Sequence, residues 1–299
     1  MAPAAQVAWK QSLLLKDLAE KGVAYNRLLA PINSSPWGYR RRSRLGVKDV
    51  PGKGRVLVGF RERGKPYISD CRRCEILAPP TGDLFEVLSD LVGSLTIKAA
   101  LPQVEVATGE NTTAMIFRVL EAPTSADLMA LEKFSSSQNV QVFLQTGGLD
   151  TVTPLKADQP ELMYTLPDFD LEMVFQPMDF VQVNAQVNRL MIAQAIDLLE
   201  CDQDSKVLDL FCGLGNFSLA VGRKAGHVVG VDSDPGLLER AGVNASRNGL
   251  DNVSFEQGDL YQETVTGNWL GQKFDRVLLD PPRAGAAQVL EHLPSLGAN

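Results

Sequence analysis

Residues 207–219 read VLDLFCGLGNFSL. An apolar run ending in Asp209 and Leu210 has the character of a buried strand, and Gly213 and Gly215 permit a tight turn after it. Phe217, Leu219 and Ala220 then continue with helical spacing behind Asn216, a residue type suited to capping a helix. A strand that breaks through glycines into a helix lets backbone N–H groups approach a nucleotide-like ligand. The stretch therefore predicts a cofactor site at the carboxyl end of a parallel strand.

Working outward, strand and helix alternate from residue 176 onward. Helices are expected at 187–199, 217–223 and 237–248, and strands at 207–210, 228–231, 253–256 and 277–279. This order predicts an α/β fold, Rossmann-like and doubly wound, mainly parallel and ending after its fourth strand, with 277–279 left as an open edge. Upstream, 7–21 has helical spacing, with Leu13, Leu14, Leu15 and Leu18 on or near one face, and 31–36 reads as a linker. Extended runs at 39–47 and 55–60 flank DVPGKG, whose Pro and Gly residues predict a hairpin turn. Helices at 81–95 and 125–134 and strands at 103–107, 113–120 and 140–145 complete a smaller α+β unit. Three units are expected: an N-terminal helix, 1–30, packed on the cofactor domain; a central α+β domain, 36–175, carrying the basic hairpin; and a partial cofactor-binding domain, 176–299.

The chain has 299 residues, is 44% hydrophobic and carries a net charge of −7. No apolar run approaches the roughly 18 residues of a membrane span, and the N-terminus lacks the pattern of a secretory leader. A cytoplasmic, monomeric protein without a membrane or DNA partner is expected. Four cysteines, Cys71, Cys74, Cys201 and Cys212, are too few for a disulfide framework and suit a reducing compartment. The charge is unevenly spread. Residues 37–73 hold twelve basic side chains against three acidic ones, so this segment is +9 and the remainder −16. A basic ribbon in an acidic protein predicts RNA contact, with Arg40, Arg41, Arg42 and Arg44 meeting phosphates and Trp37, Tyr39 and Phe60 able to stack or anchor. Arg283, after the turn at 280–282, is a further candidate.

A glycine turn at this position suits a dinucleotide or S-adenosylmethionine. The dinucleotide fingerprint wants a third small residue for close helix packing, and Ser218 stands there. Asp232, ending VVGVD, suits a ribose diol for either ligand, because one carboxylate accepts from two hydroxyls. Asp259, in FEQGDL, stands where an acid or amide can meet an adenine amine, and Asp280 ends the next strand in LLDPPR. Three acids around one sheet mouth favour a sulfonium cofactor and would repel pyrophosphate.

The phrases FVQVN, LDLFCGLGNFSL, VVGVD, ASRNGLDNV and VLLDPPRAGA, with PWGYRRRSRL, VGFRERG and CEILAPP upstream, resemble the bacterial 23S ribosomal RNA uracil-C5 methyltransferases, an iron-sulfur family that makes 5-methyluridine. The resemblance covers nearly the whole chain. It implies that Gln182, Phe211, Asn216, Asp232, Asp259 and Asp280 hold S-adenosylmethionine, with Gly213 and Gly215 in the turn, and that the substrate is 23S ribosomal RNA. The family often has Glu where Asp232 stands and Asn where Asp259 stands.

Uracil C5 is a poor nucleophile, and the resembled family activates it by adding a cysteine thiolate to C6, while a glutamate later removes the C5 proton. That cysteine lies in an S-C-N-P motif after the DPPR strand. This chain ends at LEHLPSLGAN, so neither residue has an equivalent here. Cys212, Cys201, His227 and His292 are not expected to substitute. As given, the chain is expected to bind without catalysing. In the family, three cluster cysteines precede the first helix seen here and the fourth matches Cys74, so this chain alone is expected to assemble no 4Fe-4S cluster. A tRNA uracil-C5 methyltransferase, a non-catalytic RNA-binding remnant and a dinucleotide oxidoreductase are the alternatives.

Overall fold

The computed structural model describes residues 2–262 and 266–297. Helix α1 (Pro3–Glu20) buries none of its side chains, and Trp9, Leu13 and Leu14 face solvent. The expected packing of this helix on the cofactor domain is not found. Leu13, Leu14 and Leu15 are consecutive and span roughly 200° of the helix circumference, so no narrow face collects their apolar area.

The central unit is a six-stranded sheet in the order β2-β1-β3-β4-β5-β6, built from β1 (Arg42–Val50), β2 (Arg55–Gly59), β3 (Gln103–Thr108), β4 (Thr113–Arg118), β5 (Gln141–Gln145) and β6 (Val152–Pro154). The expected basic hairpin is β1–β2, closed by a short turn at Pro51–Lys53, with Gly54 supplying the left-handed φ of 65° that ends it. Helix α2 (Phe85–Ser94) and helix α3 (Ser125–Gln138) cover one face, where Phe85, Leu88 and Leu131 meet Leu45, Val104 and Phe117. Helix α3 starts where it does because Thr124 and Asp127 form a capping box, each side chain accepting the other's backbone N–H.

A second hairpin, β7 (Leu162–Leu166) and β8 (Leu171–Phe175), is not expected from the sequence reading. Its alternation buries Leu162, Tyr164, Leu166, Leu171, Met173 and Phe175 in a core shared with Ile192, Val207 and Leu219. On its free edge, Asn244 of helix α6 (Pro235–Arg247) and Asn248, the residue that ends it, act as a substitute strand. Each amide accepts from one strand N–H and donates to the same residue's carbonyl, Val174 for Asn244 and Glu172 for Asn248, at 2.8–3.0 Å. This hairpin packs against the cofactor-binding half and also meets Ala107 and Ala114 of the central sheet, so it lies between the two units.

The cofactor-binding sheet runs β11-β10-β9-β12, with β9 (Lys206–Leu210), β10 (His227–Asp232), β11 (Val253–Gln257) and β12 (Arg276–Leu279) all parallel. Helices α5 (Ser218–Gly222) and α6 cross over between β9, β10 and β11, and helix α4 (Ala185–Leu199) leads into β9. One face packs on the hairpin core, and the other on Trp269, Phe274 and Val289, so the sheet is doubly wound as expected. Strand β12 lies at the edge of the described sheet, beside a groove of about 670 Å³ between Leu198 and Leu293.

Candidate cofactor site

Strand β9 delivers the chain into its glycine turn through an unusual backbone. Phe211 has a φ of +66°, a conformation costly for a residue with a side chain, and it is held because the Phe211 and Cys212 N–H groups both donate to the Val231 carbonyl at 2.9 and 3.1 Å. Gly213 and Gly215 follow at φ +54° and +79°. A Cβ at Gly215 would come within 2.4 Å of Leu219 Cδ1 and 3.2 Å of the Phe255 ring. Gly215→Ala is therefore expected to cost about 1–2 kcal/mol of stability from the left-handed backbone alone, with S-adenosylmethionine affinity falling alongside. Paired denaturation and calorimetry that found both unchanged would show the turn to be tolerant.

Asp232, at the end of β10, fixes this turn. One carboxylate oxygen accepts the Gly213 N–H at 3.0 Å and the other accepts the Asp234 N–H at 3.1 Å. Each oxygen keeps a further lone pair, the requirement for a ribose diol. Asp259, just beyond β11, accepts the Tyr261 N–H at 3.0 Å, and the Tyr261 ring lies 5.5 Å from that of Phe211. Two tilted aromatic rings beside an acid offer a wall for a purine. Asp280, after β12, accepts from the Gln182 amide at 3.2 Å, and partial burial raises its pKa. The sequence-derived residues Gln182, Phe211, Gly213, Gly215, Asp232, Asp259 and Asp280 thus all stand at the carboxyl end of one parallel sheet.

Asn216 differs from expectation. Helix α5 begins at Ser218 with no side-chain cap, and the Asn216 amide instead exchanges two 2.9 Å bonds with Asn188 while its Oδ1 also accepts from the Tyr164 hydroxyl. A buried reciprocal amide pair satisfies more polar atoms than a cap at a five-residue helix would. Its Nδ2 retains one N–H for a ligand.

Asp209 was legible only as the end of a strand. It is 1% exposed, accepts the Ser218 hydroxyl through Oδ2, and has no partner for Oδ1. Burial, reinforced by the charges of Asp280 and Asp232, pushes its pKa up to about 7. The same burial, with Asp209 and Asp232 nearby, raises the Cys212 thiol well above its ordinary range, so Cys212 is protonated packing at neutral pH. Burial raises Cys201 as well. Cys71 and Cys74 are free thiols against the central core, and no group of three or more metal-ligating side chains occurs among the described residues.

The basic ribbon also separates on inspection. Arg41 and Arg42 do not present themselves to solvent: segment 177–184 lies across the start of β1, where the Arg41 N–H donates to the Val183 carbonyl and Arg41 Nε to the Gln182 carbonyl at 3.2 Å. Arg42 Nη1 donates to the Pro177 and Asp179 carbonyls, and its Nη2 lies 3.9 Å from Glu105. These two arginines join the halves of the molecule, and the expectation that they meet RNA phosphates at the surface is corrected. Phe60 is likewise engaged, its ring 6.1 Å from Phe85. Arg44 remains largely exposed although it pairs with Glu105 at 3.0 Å. Lys53 and Arg55 pair with Asp70, and Arg72 and Arg73 with Glu86, Glu75 and Asp83. Arg40, Lys48, Arg61, Arg63 and Arg283 have no ion-pair partner among the described residues. No described helix is long and apolar enough to cross a membrane.

The chain is similar to several known proteins. A family described as a methyltransferase domain matches residues 201–296. The chain is 45% identical over 299 residues to the 23S rRNA (uracil(1939)-C(5))-methyltransferase RlmD of Alkalilimnicola ehrlichii, an alignment covering 99% of this chain and 67% of that protein. It is 43% identical to the enzyme of the same name from Stenotrophomonas maltophilia, covering 97% of this chain and 65% of that one. The chain thus spans about two thirds of the length of these relatives. Among solved structures, the Pyrococcus abyssi tRNA (uracil-54, C5)-methyltransferase in complex with S-adenosyl-L-homocysteine superposes with a TM-score of 0.72 at 20% identity, over 98% of this chain and 71% of that one. That likeness shows a shared fold.

Proposed function

This chain belongs to the 23S rRNA (uracil-C5)-methyltransferase family, and on that premise we propose that it holds S-adenosylmethionine and a 23S ribosomal RNA segment for methylation of uridine C5. The observation that carries the reading is the convergence of Asp280, Asp232 and the buried Asp209 behind a glycine turn, an acidic mouth suited to a cationic cofactor. The residues present fit that group: Asp232 for the ribose, Phe211, Tyr261 and Asp259 for the adenine end, and Gln182 and Asp280 beside the turn. When bound, the cofactor supplies an electrophilic methyl group. The chain's own part is to orient it, with Asp232 tying the turn to the cofactor's sugar. Burial raises the Cys212 thiol, so Cys212 is not read as the nucleophile that adds to C6. Cys74 is read as a counterpart of one of the family's cluster ligands, and the protein as a cytoplasmic one.

RNA contact falls to the exposed cations. Arg61 and Arg63, which have no ion-pair partner among the described residues, lie in the loop that follows β2 with the exposed Tyr67 and with Lys65, which pairs with Glu62; Arg40, Arg283 and the exposed but Glu105-paired Arg44 contribute elsewhere. Calorimetry with S-adenosylmethionine and with NAD tests the cofactor: heat from the first and none from the second is expected, and the reverse would return the chain to the dinucleotide class. For RNA, the double variant Arg61→Ala/Arg63→Ala is expected to lower the slope of log affinity against log salt by about 2. An unchanged slope would remove this loop from the interface.

A further inference from the structure

Between the two halves of the molecule lies a cavity of about 260 Å³, separate from the cofactor turn. Trp37 and Tyr39 supply its aromatic wall, Arg41, Asn184 and Gln186 line it, and Glu110 adds an acid. Trp37 is 61% exposed, an unusual state for a tryptophan with no described ring partner, and its N–H backbone is held by Ser35 Oγ at 3.3 Å. Arg41 is the opposite case. It is 5% exposed, its guanidinium carbon sits 4.8 Å from the Tyr164 ring centroid, and its Nη1 is buried with no hydrogen-bond partner. Buried guanidinium N–H groups without acceptors are rare, because the desolvation they suffer is uncompensated.

We propose that this cavity receives one extruded RNA base, stacked on Trp37 and donating a ring N–H to Glu110, as a second nucleobase site beside the cofactor site. The inference rests on the RNA-substrate reading above. The aromatic wall selects a planar ring. Guanine and uracil each carry a ring N–H beside a carbonyl. Glu110, whose carboxylate already accepts from Arg189 and Thr165, puts negative charge on the wall and disfavours a phosphate. Its remaining lone pairs suit the ring N–H that sits beside the carbonyl in those two bases.

The test uses a 23S ribosomal RNA fragment centred on the uridine specified in the relatives' name, scanned with one abasic nucleotide at a time. In the parent chain one abasic position, adjacent to the target uridine, is expected to weaken binding roughly tenfold, the usual worth of a base stacked on an aromatic side chain. In Trp37→Ala, an exposed change that leaves the core intact, binding of the unmodified fragment falls by a similar factor, and that abasic position costs nothing further. S-adenosylmethionine affinity stays at the parent value. Parent-like binding by Trp37→Ala, or abasic penalties that all persist in it, would overturn the pocket while leaving the RNA reading intact. Competition by ribose 5-phosphate equal to that by guanosine monophosphate would assign a phosphate site and overturn it too. Failure of the parent chain to bind the fragment at all would sink the RNA reading, and the pocket with it.

Discussion

Replacing Asp209 by Asn is expected to stabilise the protein at pH 8 by up to about 4 kcal/mol and to flatten its stability between about pH 4 and 7. The carboxyl is fully enclosed, its Oδ1 has no partner, and its pKa in the folded state is raised to about 7. A raised acid pKa penalises the folded state wherever the unfolded chain is ionised. Below the unfolded value both states are protonated and there is no penalty; it grows as pH rises toward 7 and is constant above, so stability falls across that window. The rise from the ordinary carboxyl value to about 7, at about 1.4 kcal/mol per tenfold change, sets the ceiling of about 4 kcal/mol. Asn keeps the shape and can still accept from the Ser218 hydroxyl. Urea denaturation of parent and variant at pH 5 and pH 8 reads the effect, and a variant whose midpoint moves with pH as the parent's does would show that another group titrates.

The same carboxyl links proton to cofactor. A cationic ligand at the mouth ringed by Asp232 and Asp280 draws the Asp209 proton off, so S-adenosylmethionine affinity is expected to rise from pH 6 to pH 8 by up to about tenfold. Calorimetry in two buffers of different ionisation enthalpy would register the released proton. In Asp209→Asn the release and the pH slope should both vanish.

Arg42→Ala is expected to cost about 3–5 kcal/mol, the range for removing one partner of a buried charged network. Its guanidinium satisfies two carbonyls of the segment joining the halves and faces Glu105, while Asp179 in that segment is buried and paired with Arg240 at 2.6 Å. A surface arginine serving only RNA would cost within about 0.5 kcal/mol. Thermal and urea unfolding therefore separate the two roles without RNA present. Arg42→Lys should recover little, since one ammonium cannot reproduce a planar fork directed at three acceptors. A parent-like midpoint for Arg42→Ala would return this residue to the RNA surface.

These two predictions mark where sequence reading succeeds and where it stops. The glycine turn, the parallel strands and the acids at their ends follow from local pattern, because apolar runs, glycines and strand-terminal acids state their roles within a few neighbours; β9, β10, β11 and β12 fall within a residue of the expected positions. The β7–β8 hairpin escaped because it is paid for by tertiary contacts, including the Asn244 and Asn248 amides, that lie some seventy residues away along the chain. Asn216 reads locally as a cap, but Tyr164 and Asn188 offer its amide better partners.

The sequence by itself determined the α/β class, the place of the cofactor turn and the family, since each rests on residues adjacent in the chain. Only the tertiary structure decided which charges are surface and which are structure. Arg41 and Arg42 carry the same symbol as Arg40 and Arg44, yet segment 177–184 folds over them and removes them from water. Asp209 looks like any strand-terminal acid until burial and two neighbouring carboxylates lift its pKa to about 7. Ionisation and availability depend on solvent exposure and on charges brought close by the fold, and neither quantity is local to the chain.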